Sequence, residues 1–139
     1  MVAYNKINQF VQDIAQGVHN LATGAATVAL TTTANKPLAT NSVLANLTQI
    51  SYTNLGSRVP SITSATQTTG TLKYILADLI MTASGAVAAF GAIVLYNDTP
   101  TSPADPLIAW WEYGSDVTMA NTETFTVDFD NTNGVLQIN

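Results

Sequence analysis

Very few residues of this chain could do chemistry, and their spacing does not bring them together. There is one histidine, His19, and no cysteine; nine carboxylates face four cations, Lys6, Lys36, Arg58 and Lys73. Enzymatic chemistry needs convergence, a nucleophile within reach of a base or several ligands around a metal. Without cysteine there is no thiolate and no disulfide, and a zinc site would rest on one imidazole plus carboxylates, a poor set. No glycines frame a serine as a nucleophile elbow, and no glycine-rich stretch has phosphate-cradling spacing. His19 falls near the end of a helical pattern, where an imidazole can meet the last carbonyls. The acids stand singly except Asp128 and Asp130, in the run DFDNTNG. That run matches a calcium loop only in part, because the downstream Glu is missing. Asx side chains bonding their own backbone account for it more simply. The sequence therefore assigns no catalytic residue, no cofactor and no metal, and the remaining candidates are contact surfaces.

Such surfaces must be presented by secondary structure, and an N-terminal helix is the first candidate. Ile7, Phe10, Val11, Ile14, Val18 and Leu21 form one stripe at helical spacing, with Lys6, Gln9, Gln12, Asp13 and Gln16 opposite. An N-terminal α-helix is expected over about residues 5–22, capped by Asn5 and stopped at Gly24. Its stripe must pack on its own sheet or on a neighbouring subunit. Residues 27–32 read as a strand and 42–49 as a short helix. Residues 51–60, with Asn54, Gly56 and Pro60, read as an exposed loop that offers Tyr52 and Arg58 for contact. Strand patterns come next at 61–68 and 71–81, the latter with Leu72, Tyr74, Leu76 and Ile80 on one face, separated by a Thr69-Gly70 turn.

Residues 79–96 run 18 positions without a charge, long enough for a membrane helix. Weak hydrophobicity around Thr82, Ser84, Gly85 and Gly91, and the lack of flanking cations, favour two strands joined near Ser84-Gly85. The first twenty residues hold no continuous apolar run, so no signal segment is expected. Residues 97–106 form a Pro-rich loop. In the strand 107–113, Ile108, Trp110 and Glu112 share one face; Glu112 marks it as the wetter, which makes Trp110 an exposed aromatic contact beside Ile108. The alternative is that both faces are covered. Gly114 to Asp116 read as a turn. Residues 122–129 alternate cleanly, Phe125, Val127 and Phe129 inward, and Asn133-Gly134 reads as a hairpin turn into 135–138. Short strands with turns at this spacing suggest a single mainly β domain over 1–139, a sandwich or barrel.

Charged residues make up 9% of the chain, against about 25% in ordinary soluble domains. The surface must then be hydroxyl and amide, and the 21 threonines supply much of it. Such a surface repels copies weakly, which suits life inside a packed assembly. A net charge of −5 with four scattered cations leaves no footprint for nucleic acid.

Taken together, YNKINQFVQDIAQGVHNL, NSVLANLTQIS, AIVLYND, LIAWWEYG and ETFTVDFDNTNGVLQI resemble a family of small virion proteins of tailed bacteriophages, the auxiliary capsid proteins also called decoration or cement proteins. The likeness spans nearly the whole chain and rests on packing and turn patterns, with no catalytic residue to carry over. It implies a β-sandwich, or its jelly-roll form, bound as a homo-oligomer (dimer or trimer) to the outside of the major capsid protein shell. It also implies residence on the virion surface after synthesis in the host cytoplasm, with no nucleic-acid or membrane partner. Three other readings stay open. The chain could serve a tail, baseplate or fibre. It could be a carbohydrate-binding sandwich with Trp110, Trp111, Tyr113 and Tyr96 as a stacking platform. Or it could be a small hydrolase, for which no acid–base set is visible.

Overall fold

The computed structural model describes residues 3–139. The chain is mainly β, with several antiparallel sheets and one α-helix. Strand β1 (Asn5–Lys6) leads into helix α1 (Asn8–Ala15). The helix is much shorter than the expected span, for a reason at each end. Asn5 and Lys6 pair with Trp110 and Ala109, so Ile7 takes an extended N-cap conformation. At the other end Gly17 adopts φ +72°, and Val18 N–H donates to the Asp13 carbonyl at 2.9 Å. Glycine reaches that region without strain, so the helix stops there and not at Gly24. Ile7 and Phe10 are buried as the stripe predicts, but Val11 is exposed and Asp13, expected on the wet face, is buried.

Strand β2 (Ala26–Thr31) is buried along its whole length. The short helix expected over 42–49 reduces to a 3-10 turn at Leu44–Asn46. The Asn46 carboxamide oxygen accepts from Ser42 N–H (2.9 Å) and Val43 N–H (3.2 Å) and caps the turn, but Val43 bridges to Pro106 on one side and the backbone turns extended at Leu47 (φ −105°, ψ 144°) on the other. Strands β3 (Ile62–Thr68) and β4 (Thr71–Leu76) form the expected hairpin, with Thr69 and Gly70 both at positive φ. The pattern over 71–81 breaks at residues 77–78. Strand β5 (Leu79–Thr82) restarts in the opposite phase, burying Leu79 and Met81 and leaving Ile80 62% exposed, contrary to expectation. The Asp78 carboxylate accepts from Phe129 N–H at 3.0 Å in this break.

The uncharged run 79–96 is two strands, β5 and β6 (Val87–Asn97), with residues 83–86 between. Among the described residues no helix is long and apolar enough to cross a membrane. Strand β7 (Leu107–Met119) runs straight through the turn expected at 114–116. Gly114 takes φ +102°, and shifts in register near Phe90 absorb the irregularity. Strand β8 (Thr124–Val127) pairs with β5, and β9 (Leu136–Ile138) pairs with β4, so Asn133-Gly134 does not close a hairpin. Instead Gly134, at φ +84°, redirects the chain, and Val135 N–H donates to the Tyr74 carbonyl at 2.7 Å.

The sheet orders are β1-β7-β6-β2, β3-β4-β9 and β5-β8. Their buried side chains form one apolar cluster, with Val28, Leu30, Tyr74, Met81, Phe90 and Leu95 contributing. Removing this area from water stabilises the fold at roughly 25 cal/mol per Å².

Candidate contact surface

The four predicted contact residues do not form a free surface. Ile108 is 1% and Trp110 7% exposed, because β7 is buried on both faces from Leu107 to Trp110. Glu112 does lie beyond them on the wetter part of the strand, but its exposure does not extend back to Trp110. Tyr52 and Arg58 are half-buried and engaged with the edge of β2. Val28 N–H donates to the Arg58 carbonyl (2.8 Å), Leu30 N–H to the Tyr52 hydroxyl (3.0 Å), and the Arg58 guanidinium to the Val28 carbonyl. The guanidinium carbon sits 3.7 Å from the centre of the Tyr52 ring, a cation–π contact. An open sheet edge invites pairing with other chains, and this loop closes one.

What the strand pleat does expose is the other face of β7. Trp111 is half-buried and Tyr113 is 52% exposed. Across from them the alternation at 124–129, as expected, turns Phe125, Val127 and Phe129 inward. Tyr4, just before β1, completes the set. Edge-to-face contacts link these rings: Tyr4 to Trp111 at 5.8 Å, Trp111 to Phe129 at 6.1 Å, and Tyr113 to Phe125 at 5.7 Å between centroids. They line an open groove of about 890 Å³, a size typical of ligand-binding clefts. Its rim carries Glu112, Asp128 and Asp130. Glu112 is ion-paired with Lys36 at 2.9 Å. Asp130 accepts from Thr132 N–H (2.8 Å) and Asn133 N–H (2.7 Å), the self-bonded turn anticipated from DFDNTNG. Those bonds, the Asn133 ones foremost, hold its carboxyl below the usual range. The groove offers aromatic surface and an acidic rim. It is not visible in sequence, because it exists only where β8 and its continuation face β7. The proposed stacking platform is divided: Trp111 and Tyr113 line the groove, while Trp110 and Tyr96 are core residues.

His19 is not at the last helical carbonyls, since the helix ends four residues earlier. It is buried against Phe10, ring centroids 5.0 Å apart. Its Nε2 lies 3.9 Å from Asp13 Oδ2, and its Nδ1 faces the Asn97 amide at 3.4 Å. Gln9 donates to the other Asp13 oxygen at 2.9 Å. Burial pushes the imidazole below its usual range, and the Asp13 carboxylate partly opposes that. The cluster joins the N-terminal segment to the end of β6. Among the described residues no three His, Asp or Glu side chains lie together in a way that could hold a metal ion.

Comparison with protein-family models, with curated proteins and with solved structures finds no match to this chain.

Proposed function

We propose that the chain is a non-enzymatic structural protein of a phage virion, a β-sandwich or jelly roll that binds the outer surface of a capsid shell and cements it. In this reading the four-stranded sheet forms one layer and the two smaller sheets the other. The observation that carries it is the state of the surface charge. Of the four Lys and Arg side chains, Arg58 closes the β2 edge, Lys36 pairs with Glu112, and Lys73 donates to the Thr132 carbonyl at 3.1 Å. Among the described residues only Lys6 is left uncommitted, so the exterior offers hydroxyls, amides, carboxylates and an aromatic groove. Such a surface suits contact with other proteins and offers phosphates almost nothing.

The partners in this reading are the major capsid protein and further copies of the chain, as a dimer or trimer, with no nucleic-acid or membrane contact. The protein is made in the host cytoplasm and carried on the virion. A lattice presents many identical sites, so modest contacts are multiplied by avidity. The groove suits an apolar side chain of the shell protein, with its acidic rim favouring a neighbouring Lys or Arg. The test is to add the purified chain to particles stripped of it. Co-sedimentation at a copy number set by the shell lattice, with greater resistance to heat or low salt, supports the reading. Failure to bind any particle overturns it. Trp111 and Tyr113 beside Asp128 also support a second reading, a glycan-binding groove, which a glycan array would separate from the first.

A further inference from the structure

The aromatic groove does not end at Tyr4. A second groove of about 440 Å³ adjoins it there, between helix α1 and strand β9. Phe10, Val11 and Ile14 line its helix side, and Leu136 and Ile138 its strand side. Tyr4 and Val135 line both grooves, so the two run on as one trough. Apolar surface is left open along it: Val11 is 54% and Tyr4 41% exposed. The β5 side of the two-stranded sheet is closed by the 55–56 segment, where Gly56 N–H donates to the Thr82 carbonyl at 2.9 Å, whereas β8 borders the trough.

Two charges in this trough have no partner, and they are of opposite sign. In the aromatic part, Glu112 is held by Lys36 and Asp130 by its own turn. Asp128 is exposed and makes no hydrogen bond or ion pair among the described residues. Beside α1, Lys6 is exposed and uncommitted. The β1 register sets Lys6 opposite Ala109, two residues from Trp111 on β7, so Lys6 shares a sheet face with Trp111 and Tyr4. Its ammonium therefore serves the trough and not the opposite side of the sheet.

We infer that the trough takes an extended segment of another protein, with a Lys or Arg meeting Asp128, apolar side chains along the Tyr4 region, and an Asp or Glu meeting Lys6. This rests on the reading of the groove as a docking surface and names the chemistry of what docks. Size favours a chain over a small molecule, because the two grooves together exceed the range of about 300–1,000 Å³ typical of small-molecule clefts. Charge and shape disfavour the other occupants. A neutral glycan would stack on Trp111 and Tyr113 but leave Asp128 and Lys6 unanswered, and would gain little from Val11, Ile14 and Ile138. Nucleic acid would bring phosphates to Asp128. A second copy has no free cation to offer except Lys6, which lies in its own trough, and two concave surfaces do not fill each other. Opposite charges at separate places also set the direction of the segment, since the reversed one meets like charge twice.

Panning a yeast-displayed library of random eight-residue peptides on the full chain tests this. The enriched sequence is then synthesised and titrated by tryptophan fluorescence, since Trp111 is half-buried in the trough. Enriched peptides are expected to carry a Lys or Arg and an Asp or Glu separated by apolar residues. D128K and K6E should each weaken the synthetic peptide roughly tenfold. The D128K/K6E double variant should instead prefer a peptide with its two charges exchanged, a gain that a damaged trough could not give. Both positions are exposed, and thermal melts check that each variant folds. A library that yields no binder overturns the inference, and so does a binder indifferent to both variants. Self-association of the parent that K6E or D128K abolishes, or a neutral glycan bound where no peptide is, assigns the trough to another occupant and overturns it too. Particle binding separates the two readings. A chain that takes the peptide but binds no particle overturns the cement role alone. Particle binding undiminished by K6E and D128K, with no peptide enriched, overturns the peptide trough alone.

Discussion

Replacing Tyr52 with phenylalanine isolates the closure of the β2 edge. The variant keeps the ring, and with it the platform for the Arg58 guanidinium, and removes only the hydroxyl. That hydroxyl accepts from Leu30 N–H at 3.0 Å and donates to the Gln49 side chain at 2.7 Å. Leu30 is fully buried, so its amide has no water to turn to. Leaving a buried donor unsatisfied costs about 1–3 kcal/mol. Gln49 is partly exposed and loses little. At about 2–4 °C per kcal/mol for a chain of this size, the melting temperature should fall by roughly 2–12 °C. Urea unfolding should show a lower midpoint with an unchanged slope, because the surface exposed on unfolding is nearly the same. Hydrogen exchange at the Leu30 amide should speed up more than at Ala29, which pairs inward with β6. An unchanged midpoint together with unchanged Leu30 protection would refute the reasoning, because the 50–58 loop would then be a passive cover. Combining Tyr52→Leu, which removes the ring, with Arg58→Met should give a stability loss that differs from the sum by about 0.5–1 kcal/mol, since the two side chains share one contact.

Three further outcomes are expected. The folded state holds the His19 imidazole below its ordinary value, so the unfolded chain takes up the proton first; stability is full above about pH 6.5 and is lost as pH falls through the folded value. A pH series of urea midpoints reads this loss, and His19→Gln should flatten that part of the profile. Tyr113→Ala should change the melting temperature little, because the ring is half-exposed, yet weaken particle binding by about 2 kcal/mol, roughly thirtyfold, if the groove is the docking site; unaltered binding would remove the groove from the interface. Gly134→Ala should destabilise by more than about 1–3 kcal/mol, because a Cβ at φ +84° would also stand 2.6 Å from the Tyr74 carbonyl oxygen. Gly70→Ala, with nothing within 4 Å, bears only the conformational cost of about 1 kcal/mol.

The parts of this fold that are legible in sequence are those set by local periodicity and turn chemistry. The alternation at 124–129, the Thr69-Gly70 hairpin and the Asp130 turn depend on neighbours a few residues away. Elsewhere, distant segments compete with the local pattern and win. Asn5 and Lys6 continue the helical spacing of residues 7–21, but β7 recruits them as a strand. The break after Leu76 is marked locally only by Asp78, whose carboxylate bonds the distant Phe129 N–H; the apolar residues on both sides give no sign of the change of phase that exposes Ile80. Glu112, two residues beyond Trp110 on the same face, points to a wet surface that Trp110 does not share. Whether a strand face is wet depends on what covers each segment, and along β7 full burial stops at Trp110. Gly17 is a signal that local chemistry does supply: a glycine at the end of the first two turns, ahead of His19, is a better helix stop than Gly24.

The same scarcity of charge that removes catalytic readings also constrains how the chain governs its own association. Proteins rich in Lys and Glu keep copies apart by repulsion and protect sheet edges with the same residues. Here the cations are nearly all engaged internally, so protection has to come from covering an edge. The Tyr52–Arg58 loop does that for β2 with a stack and several hydrogen bonds, and the 55–56 segment does it for β5. Covering is local and all-or-none, unlike a net charge that acts on every surface at once.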